Sequence, residues 1–433
     1  VTIDSNPGNT GLDDILWSTT TISLSGNDLL IEDTDLVTND NLELSTVVSG
    51  IITIRELNGN ILALDGVTGS GHGTDTVTID AALLGPSGEI IFDTLGGDDT
   101  LTIDYSSGTF DTTIRYHGGG QATSTGDLLT LTGASFTSVT SNYTNSSDGD
   151  IDVDGDFIVY TGVEPIVSTL EVQNFFMSYS DTTEVISIED ASGGQTRVSS
   201  TAGVLTTLDH PLGSLVVDAG DGNDVIHVNS LAVNYPANVT LRGESGDDTV
   251  NVNNVVSLAA ARDFAALAET INVTGSITTA AAGAISLTAD RTINLPVAAD
   301  ITSFNGEISI TANAAGTSSG NFVGLTLDGA SVSTTDGEIM LFGQGGDAGN
   351  ENHGVHLLNA ARVTSTGSGM VSVIGIAGNG DRSNGVYAVD AGTQVRSQDG
   401  DITLTGNGAA GDEGVQIFNG AVVQSLGAAN IMI

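Results

Sequence analysis

Apolar residues recur at every second position through most of the chain, as in Val371-Ser372-Val373 and Ile402-Thr403-Leu404. Period two puts alternate side chains on opposite faces of an extended strand. The alternation lasts only a few residues before Gly, Asn, Asp or Ser interrupts it, so the pattern predicts many short strands joined by tight turns. The alanine-rich LAAARDFAALAE at 258–269 also suits a short helix; continuation of the strand pattern is preferred there.

The strands fall into repeats. Segments opening at Gly324, Gly354, Gly385 and Gly414 share one order: strand, turn, strand, glycine turn, strand, then a Gly/Asn/Asp-rich loop. A unit of about 30 residues cannot bury its own apolar face, but stacked units can. The expected architecture is all-β, a parallel β-helix (β-solenoid), regular in the C-terminal half. Residues 271–316 follow the same grammar with shorter coils. The last unit reaches Ile431-Met432-Ile433 where its predecessor has Ile402-Thr403-Leu404, which suggests a continuing chain or the docking of another copy.

The N-terminal half carries a different repeat. Residues 75–104 align without gaps on 224–253, so that Asp75 falls on Asp224 and Asp99 on Asp248. Segments 29–33 and 186–190 (LLIED and ISIED) are candidate openings of the two copies. The resulting division is 1–104, a first β repeat unit; 105–175, a hairpin-rich insert; 176–254, a second repeat unit with Gly/Asp turns; and 255–433, the solenoid.

Candidate chemistry lies in the turns of these copies. Stretches 219–226 (AGDGNDVI), 243–250 (GESGDDTV), 94–101 (TLGGDDTL) and 70–77 (SGHGTDTV) set Gly-x-Asp ahead of an alternating strand. Stacking one coil apart would bring Asp224 over Asp248 and Asp75 over Asp99, with Asp221, Asp247 and Asp98 as further candidate metal ligands in the same turns. Paired carboxylates with turn carbonyls are hard-oxygen chemistry suited to calcium (Ca2+), which takes six to eight oxygens. The other reading is structural, since Gly and Asp are also good turn formers. The stretch 150–156 (DIDVDGD) imitates the opening of an EF-hand loop, but its twelfth position is Thr161, so a hairpin turning at Asp154-Gly155 is expected. His353 and His356 would face opposite sides of a strand and share no ligand.

Composition narrows the partners. The 433 residues include no cysteine or lysine, nine arginines and 54 acidic residues, 40 of them Asp, for a formal charge of −45. No disulfide framework is available. There is no basic footprint for nucleic acid, and no stretch suited to membrane insertion.

The partial nonapeptide turns resemble those of RTX-type secreted proteins, and segment 271–316 resembles the shafts of filamentous-haemagglutinin-like adhesins. Together the chain resembles a segment of a large repetitive bacterial surface protein. That resemblance implies an extracellular or cell-surface location, adhesion or assembly, and calcium dependence. The expected function is an extracellular shaft or self-assembling filament or matrix subunit, without enzymatic activity. Its partners would be other copies or a longer parent chain end to end, with cell-surface glycans as candidate ligands. The alternatives are a polysaccharide-active β-helix enzyme, lyase or hydrolase, and a glycan-binding module.

Overall fold

A computed structural model describes residues 19–34, 38–47 and 50–433. Among these residues every regular element is a strand, apart from one 3-10 turn at Ala81–Leu83. The alanine-rich stretch is extended as well, in strands Val256–Ala260 and Phe264–Val273. The protein is therefore all-β and solenoid-like. Two compact units divide the chain, one within Val1–Met177 and Ala202–Asp209, the other within Ser178–Thr201 and His210–Ile433.

The second unit is built on three parallel ladders. The first joins Val256–Ala260, Ser276–Ala280, Asp300–Ser303, Ser331–Thr334, Arg362–Ser365, Gln394–Ser397 and Val422–Ser425. The second joins Phe264–Val273, Ile285–Leu295, Ile308–Ala312, Ile339–Gln344, Val371–Ile376, Ile402–Asn407 and Ile431–Met432. The third starts at Thr249–Val252 and uses the far ends of the two long strands Phe264–Val273 and Ile285–Leu295. It continues through Leu325–Asp328, Val355–Leu358, Val386–Ala388 and Val415–Ile417. The chain visits the three ladders in turn, once per coil. The repeats predicted from Gly324, Gly354, Gly385 and Gly414 each open one residue before a third-ladder strand.

Parallel register places like residues over like. Ile301, Val332, Val363 and Val395 form one inward column, and Ile310, Leu341, Val373 and Leu404 another, all essentially without solvent exposure. Each such side chain contributes roughly 1.5–3 kcal/mol by leaving water. The corner after the first ladder is tighter. Gly306, Gly337, Gly369 and Gly400 stack there, and a Cβ on Gly337 would lie 1.9 Å from the Gly306 carbonyl oxygen. Buried hydroxyls finish the corner: Gly337 N–H donates to Thr334 Oγ1 at 3.0 Å, and Gly400 N–H to Ser397 Oγ at 2.9 Å.

The first unit mixes parallel ladders with hairpins. Asn41–Val47, Thr100–Asp104, Leu128–Thr132, Ile166–Ser168 and Thr206–Asp209 pair in parallel, as do Asp28–Glu32, Ile90–Asp93, Ile114–His117 and Asp156–Thr161. Pairing between Thr100–Asp104 and Leu128–Thr132 continues across position 104, and pairing between Thr249–Val252 and Phe264–Val273 continues across 254. The EF-hand lookalike is a hairpin. Gly149–Val153 pairs antiparallel with Asp156–Thr161 around Asp154 and Gly155, both at positive φ, as the primed turns of two-residue hairpins require.

Replacing Gly337 by Ala should strain two neighbouring coils at once. A loss of about 1–3 kcal/mol or more is expected, as for overpacking of a closed interior. Ala at Gly411, an exposed loop glycine with open space around its Cβ position but φ of +96°, should cost less. Comparison of the two midpoints in urea checks this.

Candidate functional site

The Gly-x-Asp turns sit where a coil enters a strand. Each ladder acid lies two and four residues before inward apolar positions, as in Asp224/Ile226/Val228, Asp248/Val250/Val252 and Asp99/Leu101/Ile103. Period two therefore points the carboxylate inward as well. Asp224, Asp248 and Asp99 are at most 1 % exposed.

Asp224 and Asp248 do stack. The turns bridge in parallel at Gly222 and Gly246, and Val225–Val228 pairs with Thr249–Val252. The carboxylates form a ladder in which each caps a backbone N–H one coil earlier. Asp248 N–H donates to Glu269 Oε2 at 2.8 Å, Asp224 N–H to Asp248 Oδ1 at 2.8 Å, and Glu184 N–H to Asp224 Oδ1 at 2.7 Å. Glu184 ends the run, accepting from Ser180 Oγ and Thr182 Oγ1 at 2.8 Å each.

The first unit holds a second ladder. Asp99 N–H donates to Asp127 Oδ1 at 2.8 Å, Asp40 N–H to Asp99 Oδ1 at 2.7 Å, and Asn60 Nδ2 to Asp40 Oδ1 at 3.0 Å. The expected pairing of Asp75 with Asp99 is not formed, because Asp40 occupies that place. Asp75 is exposed and precedes Thr76–Asp80, which pairs antiparallel with Ile51–Glu56. This hairpin lengthens the coil, so that Asp40 and Asp99 lie 59 residues apart. Position in the sequence repeat therefore did not give position in the stack.

The remaining candidates lie outside the ladders. Asp98 accepts from Thr123 N–H at 2.8 Å and Ala122 N–H at 3.0 Å, and the Thr123 contacts hold its carboxyl below the usual range. Asp221 is exposed; Asp247 is exposed and ion-paired with Arg291. Asp127, Asp40, Glu184 and Glu269 were missed by sequence reasoning. Their signal was available as an acid set two residues before an inward apolar position, with no glycine needed.

The electrostatics are unusual. The second carboxylate oxygens of Asp40, Asp99, Asp127, Glu184, Asp224 and Asp248 are buried without hydrogen-bond partners. Burial, reinforced by Asp33 and Glu56, pushes Asp40 up to about 8. Burial pushes Asp99 and Asp127 up to about 6, with neighbouring carboxylates adding to it. Asp224 and Asp248 are raised for the same reason, next to Glu184 and Glu269. Desolvation favours the neutral form of an acid, and a like charge in the next coil does so again.

Calcium fits this arrangement poorly. One oxygen of each ladder acid is committed to a backbone N–H, and each coil step offers one more. Glycine backbone runs close beside them, so that a Cβ on Gly243 would lie 2.6 Å from Asp248 Oδ2, and one on Gly118 2.5 Å from Asp127 Oδ2. Among the described residues no group of three or more carboxylates or histidines stands ready to hold a metal ion. The ladders can cap strands and bind protons as they stand.

The two histidines behave differently from expectation. His353 lies in the loop before Val355–Leu358, so strand parity does not apply to it, and its ring centroid is 4.8 Å from that of His356. His72, of the GHG turn, accepts Leu64 N–H on Nδ1 at 3.0 Å. Compared with protein-family models, with curated proteins and with solved structures, the chain matches none.

Proton linkage gives a test. The raised acids keep their protons in the folded state above the pH at which the unfolded chain ionises, so folding takes up protons between about pH 4 and 8. Their contribution is complete below about pH 4 and is lost as pH rises through the folded values. In chelator, the thermal midpoint should fall from pH 5 to pH 8. Asp224→Asn keeps an oxygen for the Glu184 N–H and should flatten part of that fall, read by calorimetry at both pH values. A midpoint that rises with pH over this window would count against protonated ladders.

Proposed function

We propose that the protein is an extracellular structural element, a shaft or assembling matrix subunit at a cell surface, whose second unit is a parallel β-helix. The observation that carries this reading is the unbroken stacking of that unit. Three ladders run from coil to coil, with register shifts at Ser257/Ala260 and Ala268/Thr270, and the outside is laced as the inside is packed. Asn272 Nδ2 donates to Asn251 Oδ1 and Asn294 Nδ2 to Asn272 Oδ1, both at 3.0 Å. Further on, Asn359 Nδ2 donates to Asp328 Oδ1 at 2.7 Å and Asn419 Nδ2 to Asp390 Oδ1 at 3.0 Å. A stack of this kind transmits load between coils through many parallel hydrogen bonds and needs no bound substrate. The reading assigns the chain no catalytic step.

Partners in this reading are further copies of the chain or neighbouring segments of the same surface material. A charge of −45 sets copies against one another, and divalent cations screen such contacts. Calcium is thus proposed as a counter-ion of outward carboxylates such as Asp75 and Asp221. The buried ladders are assigned to protons.

Electron microscopy of purified protein, in calcium and after chelation, tests the reading. Slender particles that associate in calcium and disperse in chelator are expected. Isometric particles whose size ignores calcium would overturn it.

A further inference from the structure

Three rings, those of His353, His356 and Tyr387, converge at one place in the second unit. His356 and Tyr387 are register partners on the third ladder and point outward. Their rings stack with centroids 5.1 Å apart and planes 19° from parallel. The His353 centroid is 4.8 Å from both. The rings border a cavity of about 330 Å3, at the small end of ligand sites.

The polar groups around this wall are organised. Asn384 N–H donates to His353 Nδ1 at 3.1 Å, which fixes the ring and leaves its proton on Nε2. His356 Nε2 is buried behind the ring wall and has no partner there. Burial holds both imidazoles below their usual range, His356 at about 4, so both are neutral near pH 7. The charges on the cavity are then Glu351, Asp412 and Glu413 against Arg382. Arg382 is already spent on Glu351 at 2.8 Å. Asp412 accepts Ser383 N–H, and Glu413 faces the Gln416 amide at 3.4 Å. The cavity is net negative and one of its walls is aromatic.

We infer that this cavity binds an amino sugar, a pyranose ring bearing a protonated amine. The sugar's apolar face lies against the face of Tyr387 turned away from His356, and the ammonium sits between that face and the carboxylates of Asp412 and Glu413. Aromatic faces attract both C–H surfaces and cations. The field of the whole chain draws a cation in and repels uronic acids.

Titration calorimetry with a glucosamine tetramer, its fully N-acetylated counterpart and a galacturonate tetramer tests this. The amine form should bind, the acetylated form at least tenfold more weakly, and the acidic form not at all. Tyr387→Ala removes the wall without changing charge and should weaken amine binding tenfold or more. Glu413→Gln should narrow the preference for amine over acetylated sugar, and it keeps the test open if Tyr387→Ala does not fold. Attraction of any polycation to an acidic protein is the competing outcome. It would survive Tyr387→Ala unchanged, and that result, or equal affinity for amine and acetylated forms, overturns the site.

Discussion

Parallel stacking at about 4.8 Å sets each residue directly over its counterpart one coil away, and the rest of the structure follows from that spacing. A side chain that recurs once per coil must tolerate its own copy as a neighbour. Valine, isoleucine and leucine tolerate it well, which is why the inward columns are built of them. Glycine is required where the backbone itself turns against the coil below, as at Gly306, Gly337, Gly369 and Gly400. Hydroxyls can serve inside the same corner because each reaches a glycine amide or carbonyl.

Charge is the difficult case, since like charges in register repel. The molecule meets it in three ways. On the surface, Asp328, Asn359, Asp390 and Asn419 alternate acid with amide, so each carboxylate meets an N–H donor. Elsewhere an arginine faces an acid of the adjoining segment, as Arg115 does Glu89, just before Ile90–Asp93, and Arg197 does Glu189. In the two buried ladders no arginine faces the acids, and a side-chain amide meets Asp40 alone, that of Asn60. There the acids cap backbone amides, and burial beside like charges raises Asp40, Asp99, Asp127, Asp224 and Asp248 toward the protonated form.

Much of this was legible in the alternation and the repeats. The coil starts at Gly324, Gly354, Gly385 and Gly414, the stack of Asp224 on Asp248, and the Asp154-Gly155 hairpin all rest on local rules, period two and turn chemistry. What was not legible depends on insertion. Asp75 aligns with Asp224 in sequence, yet the intervening antiparallel strands move it out of the stack and bring Asp40 in. No residue type marks that exchange, because it is decided by which strand Ile51–Glu56 selects as partner. His353 was misplaced for a related reason: period two holds only within a strand, and the strand begins two residues later.

Insertion also explains where the second unit departs from a plain stack. Early coils step by 21 or 22 residues, as along Asn251, Asn272 and Asn294. In them one long strand, Phe264–Val273 or Ile285–Leu295, serves the second and third ladders together. Later coils step by 29 to 32 residues, as in the 31 from Asp328 to Asn359. There the long strand is split, Ile308–Ala312 from Leu325–Asp328 and Ile339–Gln344 from Val355–Leu358, with a loop between. These loops stack in their own right: Asn352 N–H donates to Ser383 Oγ at 3.0 Å, and Ser383 N–H to Asp412 Oδ2 at 2.9 Å. Most of the extra residues are thus gathered at one corner and held in register by the ladders beside it. Loops on a rigid scaffold are where recognition is built, and here the corner contributes Glu351, His353, Arg382, Asn384 and Glu413 to a single cavity. The spacing that forces uniformity on the ladders leaves this corner as the place where coils can differ.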